Sequence, residues 1–421
     1  MADRSRRRAR QGTIASAAVL ALAACNPDAV PVGPRVEVDT IGDTIIVRTL
    51  SGSVWNTEAR LVPEVSIGQL EGADEYLFGS IGSIAVDGDW NVYVLDEQAQ
   101  QVRVFDSGGA YLRTLGRRGE GPGEFGRAEA IALLPDGRLV VRDPGNQRVE
   151  VFGPGAGRTE QWGYSAGNMY FGRSPLVIDA TGRTFLSTRD LSREGFVMHI
   201  VVVGPDGTPV DTLPEPLSDY DAPTLSAEGE SMVLSRVVPF SPEFLWTIHL
   251  SGHFLTGLSA EYRIELRRDE GVLRIERAGD PVPVHDEERA STRGFLEGSM
   301  RNTQPDWNWN GPPIPQHKPF FYELLAGRDG RIWVRVATEA YPVENENHDP
   351  EDPYSPPVVW REPLRYDVFE PDGTYLGAVA PPDGFEYYKP PVFNDDHVWA
   401  VTQDELGVER VVRYRIEVGA R

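Results

Sequence analysis

Two tryptophans flanked by amide side chains are the residues best suited to contact a ligand in this sequence. Trp307 and Trp309 lie in the run 306–310, and a proline-rich segment leads from there to His317. Indole rings can stack on the rings of sugars or peptides. We therefore predict that Trp307, Trp309 and His317 bind a ligand. The alternative is that both indoles pack inward, because a long loop needs some buried anchor.

A second group of chemically capable side chains lies in one acidic loop, residues 344–352. Its members are Glu344, Glu346, Asp349, Glu351 and Asp352, interspersed with Asn345, Asn347 and His348. Oxygen ligands at this density could hold calcium, but the spacing is not that of an EF-hand. We predict a solvated acidic loop with no metal or other cofactor, and calcium binding remains the alternative.

The sequence contains no motif for a known type of catalysis. Its seven histidines form no HExxH pattern, and no nucleophile elbow, P-loop or dinucleotide-binding glycine motif stands in a suitable context. His249 and His253 are four residues apart, but they flank a predicted turn, which disfavours a shared zinc ion. We therefore predict no catalytic residues.

The N-terminus has the pattern of an export signal. Five arginines precede an uncharged, mostly apolar stretch over residues 13–24, which is too short to span a bilayer. The run Leu22-Ala23-Ala24-Cys25 resembles the lipobox of bacterial lipoproteins, and this resemblance implies that Cys25 is lipidated. Cys25 is the only cysteine, so no internal disulfide can form. Cleavage beside an incidental cysteine, or twin-arginine export, are the alternatives.

The charge of the chain excludes one class of partner. Residues 1–24 contain five Arg and one Asp, which leaves 36 basic and 63 acidic residues and a formal charge of −27. Such a field disfavours nucleic acid and anionic surfaces. We expect membrane association through the lipid alone, a periplasmic or cell-surface location, and an envelope ligand or protein as partner.

The fold is predicted by an internal repeat. The runs Ile84-Ala85-Val86, Val92 to Asp96 and Val102 to Phe105 recur 47 residues later, without a gap, in residues 131–152. A unit of 40 to 50 residues with four short strands is typical of a propeller blade, and blades must stack into a ring to bury their faces. Asp96 and Asp143 recur at equivalent strand ends, which favours turn capping over chemistry.

Four weaker units follow, so the sequence predicts an all-β, six-bladed β-propeller with four-stranded antiparallel blades. The sixth unit has only three strands. Residues 61–67 resemble an outermost strand without a blade, and we expect them to complete the last blade and close the ring. The predicted organisation is a signal peptide (1–24), a tether (25–34) and one propeller (35–421). Residues 35–50 form an extra hairpin whose position the sequence does not indicate.

The sequence resembles a known family over part of its length. Residues 119–125 (GEGPGEF) and 143–152 (DPGNQRVEVF) are similar to NHL-type propeller repeats, most clearly over about 78–152. The whole chain resembles bacterial six-bladed propeller lipoproteins, a largely uncharacterised family. That resemblance implies a fold and a cell-envelope location but no reaction. Propeller lactonases hold a metal with channel carboxylates, and Glu129, before an inner strand, could face the channel here, although no partner carboxylates are evident.

The spacing of the units predicts where a binding surface lies. Extra residues fall at 214–236 and 277–319, which connect successive blades, and at 338–363, inside the fifth blade; residues 286–300 read as a helix. All three insertions should therefore build up one face of the ring, as loops do at many binding sites. We expect a non-catalytic binding module that uses this face. The alternative is a metal-dependent, lactonase-like hydrolase that uses the channel.

Overall fold

The structure of the protein is a computed structural model. It describes residues 33–156, 159–163, 176–190, 197–230, 232–346, 348–351 and 354–419. The predicted signal peptide, Cys25 and most of the tether lie outside the described residues, as do Asn347 and Asp352. No helix in the described part of the chain is long and apolar enough to cross a membrane.

Six four-stranded antiparallel blades make up the body of the molecule, and the sequence prediction of a six-bladed β-propeller is confirmed. We letter the strands of each blade a to d from the channel outward. Blade 1 consists of Ile81–Val86, Val92–Asp96, Gln101–Phe105 and Tyr111–Leu115. Blade 2 consists of Ala130–Leu133, Leu139–Asp143, Arg148–Phe152 and Thr159–Gly163. Blade 3 consists of Val177–Ile178, Thr184–Asp190, Val197–Val203 and Pro209–Pro214.

The second half of the ring is built in the same way. Blade 4 consists of Phe244–Ile248, Phe254–Leu258, Arg263–Arg268 and Gly271–Arg277. Blade 5 consists of Phe321–Ala326, Ile332–Val336, Tyr366–Phe369 and Tyr375–Ala380. Blade 6 consists of Val392–Asn394, His397–Gln403, Glu409–Val418 and, from the N-terminus, Ala59–Ile67.

The remaining elements lie outside this pattern. They are the hairpins Arg35–Ile41 with Thr44–Ser51, Thr224–Glu228 with Val233–Val237, and Tyr341–Glu344 with Val358–Arg361, the α-helix Asp286–Thr303, and the 3-10 turns Asp74–Tyr76 and Pro154–Ala156. The helix begins where the sequence predicted and runs three residues longer.

The strand Ala59–Ile67, hereafter the closing strand, completes blade 6 as predicted. It pairs antiparallel with Glu409–Val418, from Ala59 opposite Val418 to Ile67 opposite Val411. Its side chains at 59, 61 and 67 are buried. A register shift falls between Pro63 and Val65, where a proline without an N–H interrupts the ladder. The N-terminus and C-terminus of the propeller are therefore joined in one sheet.

The core is divided among the interfaces between blades. Six separate clusters of buried apolar side chains each join two neighbouring blades, so every blade is covered on both faces. Phe105, Phe125, Phe369 and Trp399 are among the largest fully buried side chains. A single blade could not bury both of its faces, and this explains why the repeat has to run around a full ring.

The recurrent aspartates fasten turns, as their repetition predicted. Asp143 accepts hydrogen bonds from the backbone N–H groups of Gly126 (2.8 Å) and Arg127 (2.7 Å). Asp96 accepts the equivalent bond from Gly79 (3.1 Å), and it also accepts the N–H of Ala99 (2.9 Å) in its own b–c turn. Each carboxylate ties the b–c turn of its blade to the connection that enters the same blade.

The N-terminal hairpin extends blade 4. Thr44–Ser51 pairs in parallel with the outermost strand, from Thr44 opposite Val272 to Thr49 opposite Arg277. Arg48 Nε donates to Glu276 Oε2 at 2.8 Å across this junction. The outer strand Arg35–Ile41 is exposed along its whole length.

Candidate functional site

The three insertions meet on one face of the ring and form a single layer. We call segments 215–243, 278–320 and 337–365 together the cap. The helix Asp286–Thr303 contacts both cap hairpins. Arg301 Nη1 donates to the hydroxyl of Tyr354 at 2.7 Å, which joins the second insertion to the third. Because the cap covers the connections that enter the a strands, it lies at the opposite end of the channel from the a–b turns.

Trp307 belongs to the core of the cap. It is 2% exposed and packs in a cluster of its own with Leu225, Ala227, Val238, Leu296, Met300 and Ile314. Its indole N–H donates to the carbonyl of Ser226 at 2.7 Å. With its ring covered and its N–H used, Trp307 is placed as the packing alternative describes, and it presents no free face on which a ligand could stack.

Trp309 and His317 lie nearer the surface of the cap. The Trp309 ring is half-buried against Trp307, its N–H donates to Pro312 at 2.8 Å, and Arg293 lies 4.9 Å from its centre. His317 is exposed and lines a shallow cavity of about 280 Å³. The structure therefore does not bring the three predicted side chains together around one space.

A buried lysine holds the cap against the ring. Lys318 is fully buried, and its Nζ lies 3.0 Å from Glu288 Oε1 in the helix and 2.8 Å from Glu362 Oε2 in the third insertion. It also donates to the carbonyl of Thr338 at 3.0 Å. Glu362 accepts a further hydrogen bond from the hydroxyl of Tyr322 in blade 5, at 3.1 Å. Two insertions and one blade are thus tied together at one ammonium group.

Beside this anchor, a cleft of about 510 Å³ opens between the cap and blade 5. We call it the cap cleft. It is lined by Tyr322, Arg335, Val336, Val343, Val359, Trp360, Arg361, Glu362, Pro363, Leu364 and Tyr387. Its size is that of pockets that accept small ligands, and its lining combines aromatic rings with a few charged groups, as such pockets do.

Arg335 is the central polar group of the cap cleft. Its guanidinium carbon lies 5.0 Å from the centre of the Tyr322 ring and 4.6 Å from that of Tyr387, so two aromatic rings hold it. Its Nε donates to Glu323 Oε2 at 3.3 Å. Glu323 lies opposite Arg335, and Arg335 opposite Tyr366, in adjacent strands. The three side chains therefore form a row across one face of blade 5.

Burial changes the pKa values of two side chains in this row, Glu323 and Tyr366. It raises the pKa of Glu323, although the positive charge of Arg335 acts in the opposite direction. Burial also raises the pKa of Tyr366 well above its ordinary value, and the charge of Glu323 adds to this effect. The Tyr366 hydroxyl is buried and has no hydrogen-bond partner among the described residues. An unpaired buried hydroxyl is costly unless a bridging water satisfies it.

Trp360 forms the outer wall of the cap cleft, and His285 packs against it. Their rings stack with centres 5.4 Å apart, and His285 Nε2 lies 3.0 Å from Glu339. His285 also caps the helix that carries Glu288. The wall is therefore linked to the Lys318 anchor, which favours a cleft that keeps its shape without a ligand.

The candidate metal ligands are dispersed. Glu129 pairs with Arg127 at 3.1 Å and is not among the residues that line the cavity in the central channel. Glu344, Glu346, Asp349 and Glu351 are exposed. His249 is buried, and its two ring nitrogens are hydrogen-bonded to Ser251 (2.9 Å) and to Gly330 (2.9 Å). His253 instead pairs with Asp269 at 3.0 Å. In the part of the chain that the structure describes, no three His, Cys, Asp or Glu side chains converge as metal ligands.

Sequence reasoning located the face that carries the insertions but missed the residues of the cap cleft. Tyr322 and Arg335 lie in ordinary strands of blade 5, and Tyr387 lies in the connection to blade 6. A usable signal was present, because Trp360 and Arg361 end the insertion that the spacing identified. Only the pairing of strands shows that these residues face one another.

Comparison with known proteins supports the fold. A family described as a 6-bladed beta-propeller matches residues 56–146, and no curated protein matches the sequence. A member of the DUF4221 family from Bacteroides vulgatus has a similar solved structure, with 11% identity, a TM-score of 0.50, and coverage of 86% of this chain and 98% of that one.

Two enzymes are more distant in structure. A gluconolactonase from Xanthomonas campestris has 12% identity and a TM-score of 0.37, over 84% of this chain and 97% of the enzyme. Virginiamycin B lyase from Staphylococcus aureus has 9% identity and a TM-score of 0.37, over 84% of this chain and 99% of the lyase. Likeness at these identities concerns the fold alone, so function has to be argued from this chain's own residues.

Proposed function

We propose that this protein is a non-catalytic binding module that holds a neutral saccharide in the cap cleft. The observation that supports the proposal most strongly is Arg335, held between the rings of Tyr322 and Tyr387 and hydrogen-bonded to Glu323. A sugar ring has an apolar face that stacks on aromatic side chains and an edge of hydroxyls that pair with such charged groups.

The charges around the cleft favour an uncharged ligand. Three charged side chains line the cleft, namely Arg335, Arg361 and Glu362. Arg335 pairs with Glu323 and Glu362 pairs with Lys318, whereas Arg361 is exposed to solvent. A neutral polar ligand leaves these pairs intact, whereas an ionic ligand has to compete with a partner that is already present.

The cellular setting is part of the same proposal. Export and lipidation at Cys25 place the propeller at a bacterial membrane, on its periplasmic or cell-surface side, where saccharides are abundant ligands. Anchoring of this kind needs more than one buried acyl chain to be stable. Mass spectrometry of the mature protein tests the lipidation of Cys25. A mature N-terminal peptide that begins before Cys25, or that begins at residue 26 and carries no lipid, contradicts it.

A binding screen with matched variants tests the ligand class. Saturation-transfer NMR with neutral mono- to trisaccharides should identify binders, and Tyr387→Ala should weaken the best of them at least about fivefold. Tyr388→Ala is the control, because Tyr388 is the exposed neighbour and does not line the cleft. Equal losses in both variants, no saccharide binding, or binding only of peptides contradicts the proposal.

A further inference from the structure

A second cavity lies in the central channel, at the end opposite the cap. It measures about 490 Å³ and is surrounded by the a strands of the blades and by their a–b turns. Its wall is largely aliphatic, with Ile84, Leu133, Ile178, Ile248 and Leu325 among the lining residues. Neither the proposed saccharide site nor the predicted metal chemistry uses this space.

One cation stands at the mouth of this cavity. Arg328, in the a–b turn of blade 5, is the only basic residue among the described residues that line it. Its guanidinium Nη1 donates to the carbonyl of Val86 in blade 1, so the side chain reaches across the mouth from one blade to another. Enclosure by the wall lowers the pKa of Arg328, although an arginine remains charged at neutral pH.

Two carboxylates lie at the same rim, those of Asp179 and Asp87, and both already have hydrogen-bond partners. Asp179 pairs with Arg183 at 2.6 Å and accepts the backbone N–H groups of its own turn. Asp87 accepts the N–H groups of Asp89 and Asn91, both at 2.9 Å, and the Asn91 amide at 2.8 Å. Within the described residues, no carboxylate lies within ion-pair distance of Arg328. The donors that do not bind Val86 are therefore available for a ligand.

We propose that this channel cavity binds an amphipathic carboxylate, with the hydrocarbon tail among the aliphatic side chains and the carboxylate on Arg328. Burial of a hydrocarbon tail against such a wall is favourable because it removes apolar surface from water. A planar guanidinium can hold a carboxylate through two parallel hydrogen bonds. The cavity volume lies within the range of small-molecule pockets. The two ends of the ring thus carry independent sites of opposite chemical character.

Calorimetric titration of the full protein with dodecanoate tests this proposal, with 1-dodecanol as the uncharged comparison. Wild-type protein should bind one equivalent of dodecanoate, and Arg328→Gln should weaken binding at least about tenfold. Arg328→Lys should retain part of the affinity because it keeps the charge. Arg267→Gln is the control, since Arg267 is an exposed arginine outside the cavity lining.

A second variant probes the cavity without removing the charge. Gly88 lines the mouth, a side chain there would meet nothing within 4 Å, and its backbone does not require glycine, so Gly88→Phe should narrow the entrance and leave the fold intact. Gly279→Phe is the control at an equally open position in the cap. Absence of dodecanoate binding to the wild type, undiminished binding to Arg328→Gln or Gly88→Phe, or equal affinity for 1-dodecanol overturns the proposal.

Discussion

Replacement of Lys318 by methionine should loosen the cap and leave the ring intact. The ammonium group is fully buried and neutralises Glu288, whose side chain is 4% exposed, and Glu362, whose side chain is 24% exposed. Removal of one member of a buried ion pair leaves an uncompensated charge and costs about 3–5 kcal/mol. We expect Lys318→Met to lower the free energy of cap opening by this amount.

Amide hydrogen exchange followed by mass spectrometry measures this effect locally. Peptides from the helix Asp286–Thr303 and from Val358–Arg361 should exchange faster in the variant, by about two to four orders of magnitude, whereas peptides of blades 1 and 2 should not change. The triple variant Lys318→Met, Glu288→Gln, Glu362→Gln should recover most of the protection, because no charge is then left unpaired. Less than a fivefold increase in exchange, or an equal increase in blades 1 and 2, would refute the reasoning.

Three further results are expected. A chain that starts at residue 70 lacks the closing strand. Burial of that strand's side chains at positions 61 and 67 alone contributes about 3–6 kcal/mol to the free energy of unfolding. The truncated chain should therefore unfold at a much lower urea concentration. Trp307→Ala should destabilise the cap by about 3–5 kcal/mol, and Trp309→Ala by less because it is half-buried, as measured by hydrogen exchange in the cap. Glu386→Gln should raise the melting temperature at pH 7 but not at pH 4.

The pH dependence of the last result follows from burial. Burial raises the pKa of Glu386 above its ordinary value of 4.5, and one of its carboxylate oxygens has no hydrogen-bond partner among the described residues. The folded state therefore disfavours the ionised form, so the penalty is absent below the unfolded pKa and complete above the folded one. A gain in stability at pH 4 equal to that at pH 7 contradicts this account.

The other two results have their own controls. A chain that starts at residue 34 keeps the closing strand and should unfold like the mature protein; an equally cooperative and stable chain from residue 70 contradicts ring closure. For the tryptophans, a larger effect of Trp309→Ala than of Trp307→Ala contradicts the packing of the cap core.

The ring could be predicted from the sequence because its signals are local and repeated. The 47-residue offset between blades 1 and 2 repeats turns, buried strands and capping aspartates such as Asp96 and Asp143 together. The closing strand could be predicted because blade 6 lacked one strand and an unassigned strand was present near the N-terminus of the chain. In both cases, the sheet edge that had to be covered was visible in the sequence.

The positions of other elements could not be read in this way. Thr44–Ser51 joins blade 4 through contacts more than two hundred residues apart in sequence, such as that of Arg48 with Glu276, and any outermost strand offered a similar edge. Trp307 satisfied the sequence pattern of a ligand-binding residue, yet packing around it depends on Leu225 and Val238 from a distant segment. The cap cleft likewise arises from the register of blade 5, which sequence spacing does not reveal.

A crystal structure of the protein with the tightest-binding saccharide of the screen tests the central claim most directly. The account predicts a sugar ring against Tyr387, with a hydroxyl within hydrogen-bond distance of Arg335. A saccharide bound elsewhere on the ring, or an empty cap cleft in crystals grown at saturating ligand, contradicts it.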